Sequence, residues 1–109
     1  TKTVDGIYYK ITKEGSGEKT GKGKNVSVDY KGYFVSGEVF DQSAGRSPLD
    51  FKTAAGMMIP GFDIMVQDMK KGETRTMVLP PDMAYGERGI PGAIPENSYL
   101  AFDVTLLKN

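Results

Sequence analysis

The chain has 109 residues, with 14 lysines and arginines balanced by 14 aspartates and glutamates, and it contains neither cysteine nor histidine. That length suits one domain around a single core, able to bury about two-thirds of its unfolded surface without disulfides or metal. Lacking both residue types, it can build no disulfide, thiol nucleophile, zinc knuckle or Ser-His system, and no metal or cofactor is expected.

Residues 6–12 (GIYYKIT) are aromatic and β-branched and predict a strand. Residues 14–24 are charged and glycine-rich and read as turn and loop, with Lys10, Lys13, Lys19, Lys22 and Lys24 forming a solvated cluster rather than a binding patch. Residues 26–34 alternate, setting Val26, Val28 and Tyr30 on one strand face and Ser27, Asp29 and Lys31 on the other. Phe34-Val35 and Val39-Phe40 flank Ser36-Gly37-Glu38, a glycine-containing hairpin connection. Residues 41–48 read as irregular and residues 49–51 as a short strand.

Phe62, Met65, Val66 and Met69 recur at helical spacing, with Pro60 near the start of that helix, Lys70 and Lys71 near its end and Gly72 just beyond. Residues 73–79 predict a strand with Arg75, Met77 and Leu79 on one face. Residues 80–98 form a long loop containing Pro80, Pro81, Pro91 and Pro95, and residues 99–107 close the chain as an alternating strand. With one short helix and no βαβ alternation, the fold class is α+β: an antiparallel sheet of about five strands packed on that helix.

Tyr30, Phe40, Phe62, Tyr85 and Phe102 lie on five separate elements. Spacing alone leaves them as ordinary core, where aromatics dominate. The long loop carrying Tyr85 points the other way, because an extended connection without regular structure in a compact domain is often a binding loop.

Several segments together resemble the FKBP-type, macrolide-binding class of peptidyl-prolyl cis-trans isomerases. They are Val28-Asp29-Tyr30-Lys31-Gly32, the run from Gly37 through Phe40-Asp41 to Ser43, Met58-Ile59-Pro60-Gly61-Phe62, Ala84-Tyr85-Gly86, Ile94-Pro95, and the closing Leu100 to Leu107. The resemblance runs in order over nearly the whole chain and implies a curved sheet wrapped around one short helix. It further implies a site made by Tyr30, Phe40, Asp41, Ile59, Phe62, Tyr85 and Phe102, with Leu49, Met57, Met58, Ile90 and Ile94 contacting substrate. In that family the amide at Ile59 and the hydroxyl at Tyr85 donate to ligand carbonyls, and the ring at Phe62 forms the floor. Asp41 is implied to bond Tyr30 in the pocket wall; read without the family, it equally suits a turn residue closing the hairpin.

Phe62 stands where the best-known members carry tryptophan, Leu49 where an aromatic is common, and Ile90 where histidine is frequent. Pro60 and Gly86-Glu87-Arg88-Gly89 look more like bacterial envelope members. The implied partners are proline-containing peptides, unfolded proteins and rapamycin-type macrolides.

A rival reading is an FKBP-like module that binds prolyl peptides or acts as a chaperone with little turnover, favoured by Leu49 and Phe62. A small oligonucleotide-binding barrel using Tyr8, Tyr9, Tyr30 and Tyr33 as stacking platforms is disfavoured, since zero net charge gives a phosphate backbone no help. No nucleic-acid partner is expected. Nor is membrane insertion, as no apolar run approaches the ~20 residues a span requires. The chain begins at Thr1 and reads as a domain excised from a longer or processed protein, so cytoplasmic and bacterial-envelope locations both fit.

Overall fold

A computed structural model describes residues 6–43 and 47–109. In chain order the elements are β1 (Tyr8–Lys13), β2 (Asn25–Phe34), β3 (Val39–Gln42), β4 (Leu49–Lys52), α1 (Pro60–Asp68), β5 (Thr74–Leu79), a single 3-10 turn (Pro81–Met83) and β6 (Leu100–Lys108). Among the described residues these six strands form one antiparallel sheet ordered β1-β5-β6-β2-β3. β4 pairs with the first half of β2, so β3 and β4 are two separate pieces laid along the same side of that strand.

The alternations read from the sequence become the two faces of the sheet. Val26 and Val28 are buried while Asp29 and Lys31 are exposed, and Arg75, Met77 and Leu79 are buried on β5. Leu100, Phe102, Val104 and Leu106 point inward from β6 and meet Phe62, Met65 and Val66 of the helix in one core. Met65, Met69 and Met77 are buried in that core, the gap-filling use suited to a flexible thioether. Among the described residues no helix is long and apolar enough to cross a membrane.

Local boundaries depart from expectation in two of the non-helical segments. The strand after the hairpin runs on through Asp41 and Gln42, where irregular chain was expected, because β2 supplies a pairing edge there. Residues 44–46 of that expected irregular segment lie outside the described residues. The loop of residues 80–98 contains the 3-10 turn, closed by Met83 N donating to Pro80 O (2.9 Å).

The helix also stops sooner than its apolar spacing predicts. Pro60 opens it, where the missing N–H costs nothing. At its far end Met69 is already extended (φ −87°, ψ 152°), yet its side chain remains fully buried. The helix's last carbonyls are taken by another segment: Gly21 N donates to Gln67 O (2.9 Å), and the Thr20 amide and hydroxyl both donate to Met69 O (3.0 and 2.9 Å). Lys19 Nζ pairs with Asp68 Oδ1 at 2.7 Å beside them. Gly72, at φ +85°, therefore serves the following turn into β5 rather than the helix end.

One charged cluster lies inside the fold. Arg75 is 1% exposed and is held by Glu73 Oε2 (2.6 Å) and Asp68 Oδ2 (3.0 Å), with its guanidinium 4.4 Å from the centre of the Tyr9 ring. Tyr9 is thus a lid on a buried cation and not a free stacking platform. The lysines at 10, 13, 19, 22 and 24 are all exposed, as a solvated cluster requires.

Candidate active site

Two neighbouring residues on β3 set the geometry. In the ladder with β2, Gly32 faces Asp41 and Tyr33 faces Val39, so Phe40 is an extra residue with no partner, a β-bulge. In a regular strand Phe40 and Asp41 would point to opposite faces. The bulge brings both to the inner face. The Phe40 ring packs edge-on against Phe102 (centroids 5.7 Å, 84°), and Asp41 Oδ2 accepts a hydrogen bond from Tyr30 Oη at 2.7 Å.

Ser43 locks this arrangement to β2: its amide donates to Tyr30 O and its hydroxyl oxygen accepts from Tyr30 N, both at 2.9 Å. The Gln42 amide donates to Asp41 Oδ1 at 2.9 Å, so each carboxylate oxygen has a donor.

Beneath these groups the aromatic rings continue as a connected series. Phe102 meets Phe62 at 5.4 Å and 80°, and Phe62 meets Tyr30 at 6.0 Å and 88°. Phe51 packs on the other side of Phe62 at 5.9 Å, while Phe34 lies 5.1 Å from Phe40 across the hairpin. Edge-to-face pairs are the favoured aromatic geometry and contribute beyond simple burial. Phe62 and Phe102 are 1% and 4% exposed, so both lie under the site rather than on its surface.

Above the rings is a cavity of about 340 Å³, walled by Phe34, Glu38, Val39, Phe40, Asp41, Tyr85, Ile90, Ala93 and Ile94. Three elements build it: the hairpin, β3 and the long loop. The loop is shaped by mutual bonds between Ile90 and Ile94 (Ile90 N to Ile94 O and Ile94 N to Ile90 O, both 2.8 Å). Gly86 N to Pro81 O (2.8 Å) and Asn97 N to Gly86 O (3.2 Å) tie it down. Burial pushes the Tyr85 phenol above its ordinary pKa, and the nearby negative charge of Asp41 adds to the shift. The hydroxyl therefore keeps its proton. Among the described residues it has no hydrogen-bond partner, which leaves a donor facing the cavity.

Of the residues singled out in the sequence, Phe40, Asp41, Tyr85, Ile90 and Ile94 share this cavity. Phe62 and Phe102 lie below it. Tyr30 touches both parts through Asp41 and Phe62. Leu49 sits apart, lining a second hollow of about 190 Å³ with Tyr30, Ser43 and Pro48. Met58 and Ile59 pack partly buried against the core just before the helix, whereas Met57 is 59% exposed, its sulfur accepting from Lys52 N at 3.4 Å. Phe34, Val39 and Ala93 were not foreseen as wall residues, nor Phe51 as support. For Phe34 the clue was its place directly across the hairpin connection from Phe40.

Residues 16–107 match the family model of the FKBP-type peptidyl-prolyl cis-trans isomerases. The chain belongs to that family. This FKBP is 44% identical over 103 residues to FK506-binding protein 1 of Dictyostelium discoideum, covering 94% of the chain and 96% of that relative. It is 42% identical over 103 residues to FkpA of Escherichia coli, covering 94% of the chain but 37% of FkpA. Its fold superposes on the crystal structure of AtFKBP13 with a TM-score of 0.93 at 31% identity, covering 99% and 97% of the two chains. On that of FkpA the TM-score is 0.91 at 38% identity, over 99% of this chain and 50% of the other. The match to the family model begins after β1 and includes every site residue named above.

Proposed function

We propose that this FKBP accelerates rotation about X-Pro peptide bonds by holding the proline ring in the cavity between Phe40, Tyr85 and Ile94. The observation that supports it best is the convergence of a bulged strand, an aromatic floor and a loop on one space whose apolar walls face the Tyr85 hydroxyl, uncommitted among the described residues. Twisting an amide breaks its resonance, a barrier of ~18–20 kcal/mol that makes X-Pro exchange take tens to hundreds of seconds. The twisted form has lost charge separation and needs less hydration, so a dry pocket favours it over the planar ground state. A thousandfold acceleration requires only about 4 kcal/mol.

Each residue then has a part that needs no proton transfer. Phe62 and Phe102 support the floor, Phe40 and Ile94 grip the ring, and the Tyr85 hydroxyl donates to a substrate carbonyl. The Ile59 amide, for which no backbone acceptor is found among the described residues, donates to another. Asp41, fixed by Tyr30 and the Gln42 amide, orients the wall and places negative charge beside the rotating carbonyl carbon. Ile90 in the cavity wall, with Met57 and Met58 as the apolar surface before the helix, favours apolar residues before proline, since an unpaired charge there would be costly. Leu49, in its neighbouring hollow, contacts chain leading away from the proline.

The substrates are proline-containing peptides and unfolded chains, and a rapamycin-type macrolide competes for the same cavity. Exchange spectroscopy on a short uncharged X-Pro peptide tests this: acceleration that the macrolide abolishes is expected. Peptide binding without acceleration at high protein concentration would make the domain a binding module instead.

A further inference from the structure

Gly32 has no backbone reason to be glycine. It lies in the middle of β2, paired on both sides, and its φ is outside the left-handed range. What singles it out is space. A Cβ at this position would lie 2.8 Å from Phe40 Cζ, 2.8 Å from Phe102 Cε1 and 3.2 Å from Phe102 Cδ1. Carbon atoms in comfortable contact are ~3.5–4.0 Å apart, so the rings would have to withdraw by roughly 0.7 Å or more.

The two rings are not equally free to do so. Phe102 is 4% exposed and is backed by Phe62, itself packed on Phe51 and Tyr30. Phe40 is only partly buried and stands at the edge of the cavity. Displacement therefore falls on Phe40, and its outlet is the space facing Tyr85 and Ile94. The bulge closes the alternative, because the bond from Tyr30 to Asp41 and the two bonds from Ser43 hold the backbone on the far side of Phe40.

From this we infer that Gly32 is a positioning residue that determines the width of the proline-binding cavity, and so the size of imino-acid ring the enzyme accepts. The inference rests on the reading of that cavity as the proline site. Gly32 itself touches no substrate; it acts by letting Phe40 lie back over the strand. A methyl group at position 32 should narrow the cavity and discriminate against larger rings.

The experiment compares Gly32→Ala with the wild type on three peptides that differ only in the imino acid. These carry azetidine-2-carboxylic acid, proline and pipecolic acid, whose rings grow by one methylene at each step. Amide exchange is followed for each by magnetisation transfer. The wild type should accelerate all three. Gly32→Ala should lose kcat/KM progressively, by about tenfold more for each added methylene, the low end of what one methylene decides in an apolar pocket, with the loss expressed chiefly in KM. Gly32→Ala/Phe40→Leu, which removes the displaced ring, should fold at least as well as Gly32→Ala and regain pipecolic acid relative to azetidine.

Should Gly32→Ala alone fail to fold, the double variant carries the same comparison, and its folding would itself locate the conflict at Phe40. An equal loss for all three rings would overturn the inference, as would a double variant that neither folds nor restores the larger ring. A wild type that accelerates none of the peptides is a different failure, that of the isomerase reading itself.

Discussion

Replacing Tyr85 by phenylalanine separates a group aimed at substrate from one that holds the fold. The substitution keeps the ring against the cavity wall and deletes only the hydroxyl. Among the described residues that hydroxyl bonds nothing within the chain, so no intramolecular hydrogen bond is lost and no buried partner is stranded. Stability should stay within about 0.5 kcal/mol of the wild type, the range of a substitution that touches no structural feature. Ligand is where the hydroxyl should matter. One neutral hydrogen bond has a net worth of ~0.5–1.5 kcal/mol, so affinity for a proline peptide should fall roughly twofold to thirteenfold. Thermal melts of the free protein and an NMR titration with an uncharged peptide measure the two quantities side by side. A melting temperature lower by about 4–8 °C, equivalent to ~1 kcal/mol in a domain of this size, together with unchanged affinity, would show the hydroxyl to be a structural tie and refute the reasoning.

Phe62→Ala should cost about 3–5 kcal/mol of stability along with ligand binding, because a buried ring with three aromatic neighbours is removed, whereas Phe62→Trp should raise macrolide affinity if the ring is the pocket floor; chemical denaturation and calorimetric titration read these out. The profile of kcat/KM should be flat from about pH 6 to 8 in both wild type and Asp41→Asn, since the raised Tyr85 pKa keeps its donor protonated throughout and no histidine or cysteine titrates there. A limb near neutrality that disappears in the variant would instead make Asp41 an acid or base. Stability should decline in alkali: the folded-state pKa values of Tyr33 and Tyr85 are raised, so their contribution is complete below about pH 10 and is lost as pH rises through the folded values. Glu73→Gln should destabilise by about 3 kcal/mol, the low end for breaking a buried pair because Asp68 still faces Arg75, while Glu73→Leu/Arg75→Met should recover much of the loss in urea melts.

Much of the fold was legible because its signals are local. The alternation in β2, β5 and β6 marks which side chains enter the core, and the spacing of Phe62, Met65 and Val66 marks the helix. The end of that helix was misjudged for a non-local reason: Thr20 and Gly21, distant in sequence, take the carbonyls that a further turn would have used. The site divides in the same way. Its candidate members are named by family resemblance, and alternation by itself sends Phe40 and Asp41 to opposite faces. The bulge that unites them is a matter of register between two strands, which neither strand's sequence displays. Phe51 went unremarked because nothing near it in the chain shows that it will support Phe62.

The two margins of the sheet bear on how this chain meets other polypeptides. A strand with an unpaired side is a template onto which exposed segments of a client, or of another copy, can add. Among the described residues one margin is β1, six residues long, carrying exposed Lys10 and Lys13 and broken in register between Ile11 and Lys13. The other is split into β3 and β4, four residues each, the first of them bulged. Short, charged and irregular borders of this kind resist the growth of intermolecular sheet. A second copy of this chain therefore finds little regular strand at either margin on which to build a shared sheet.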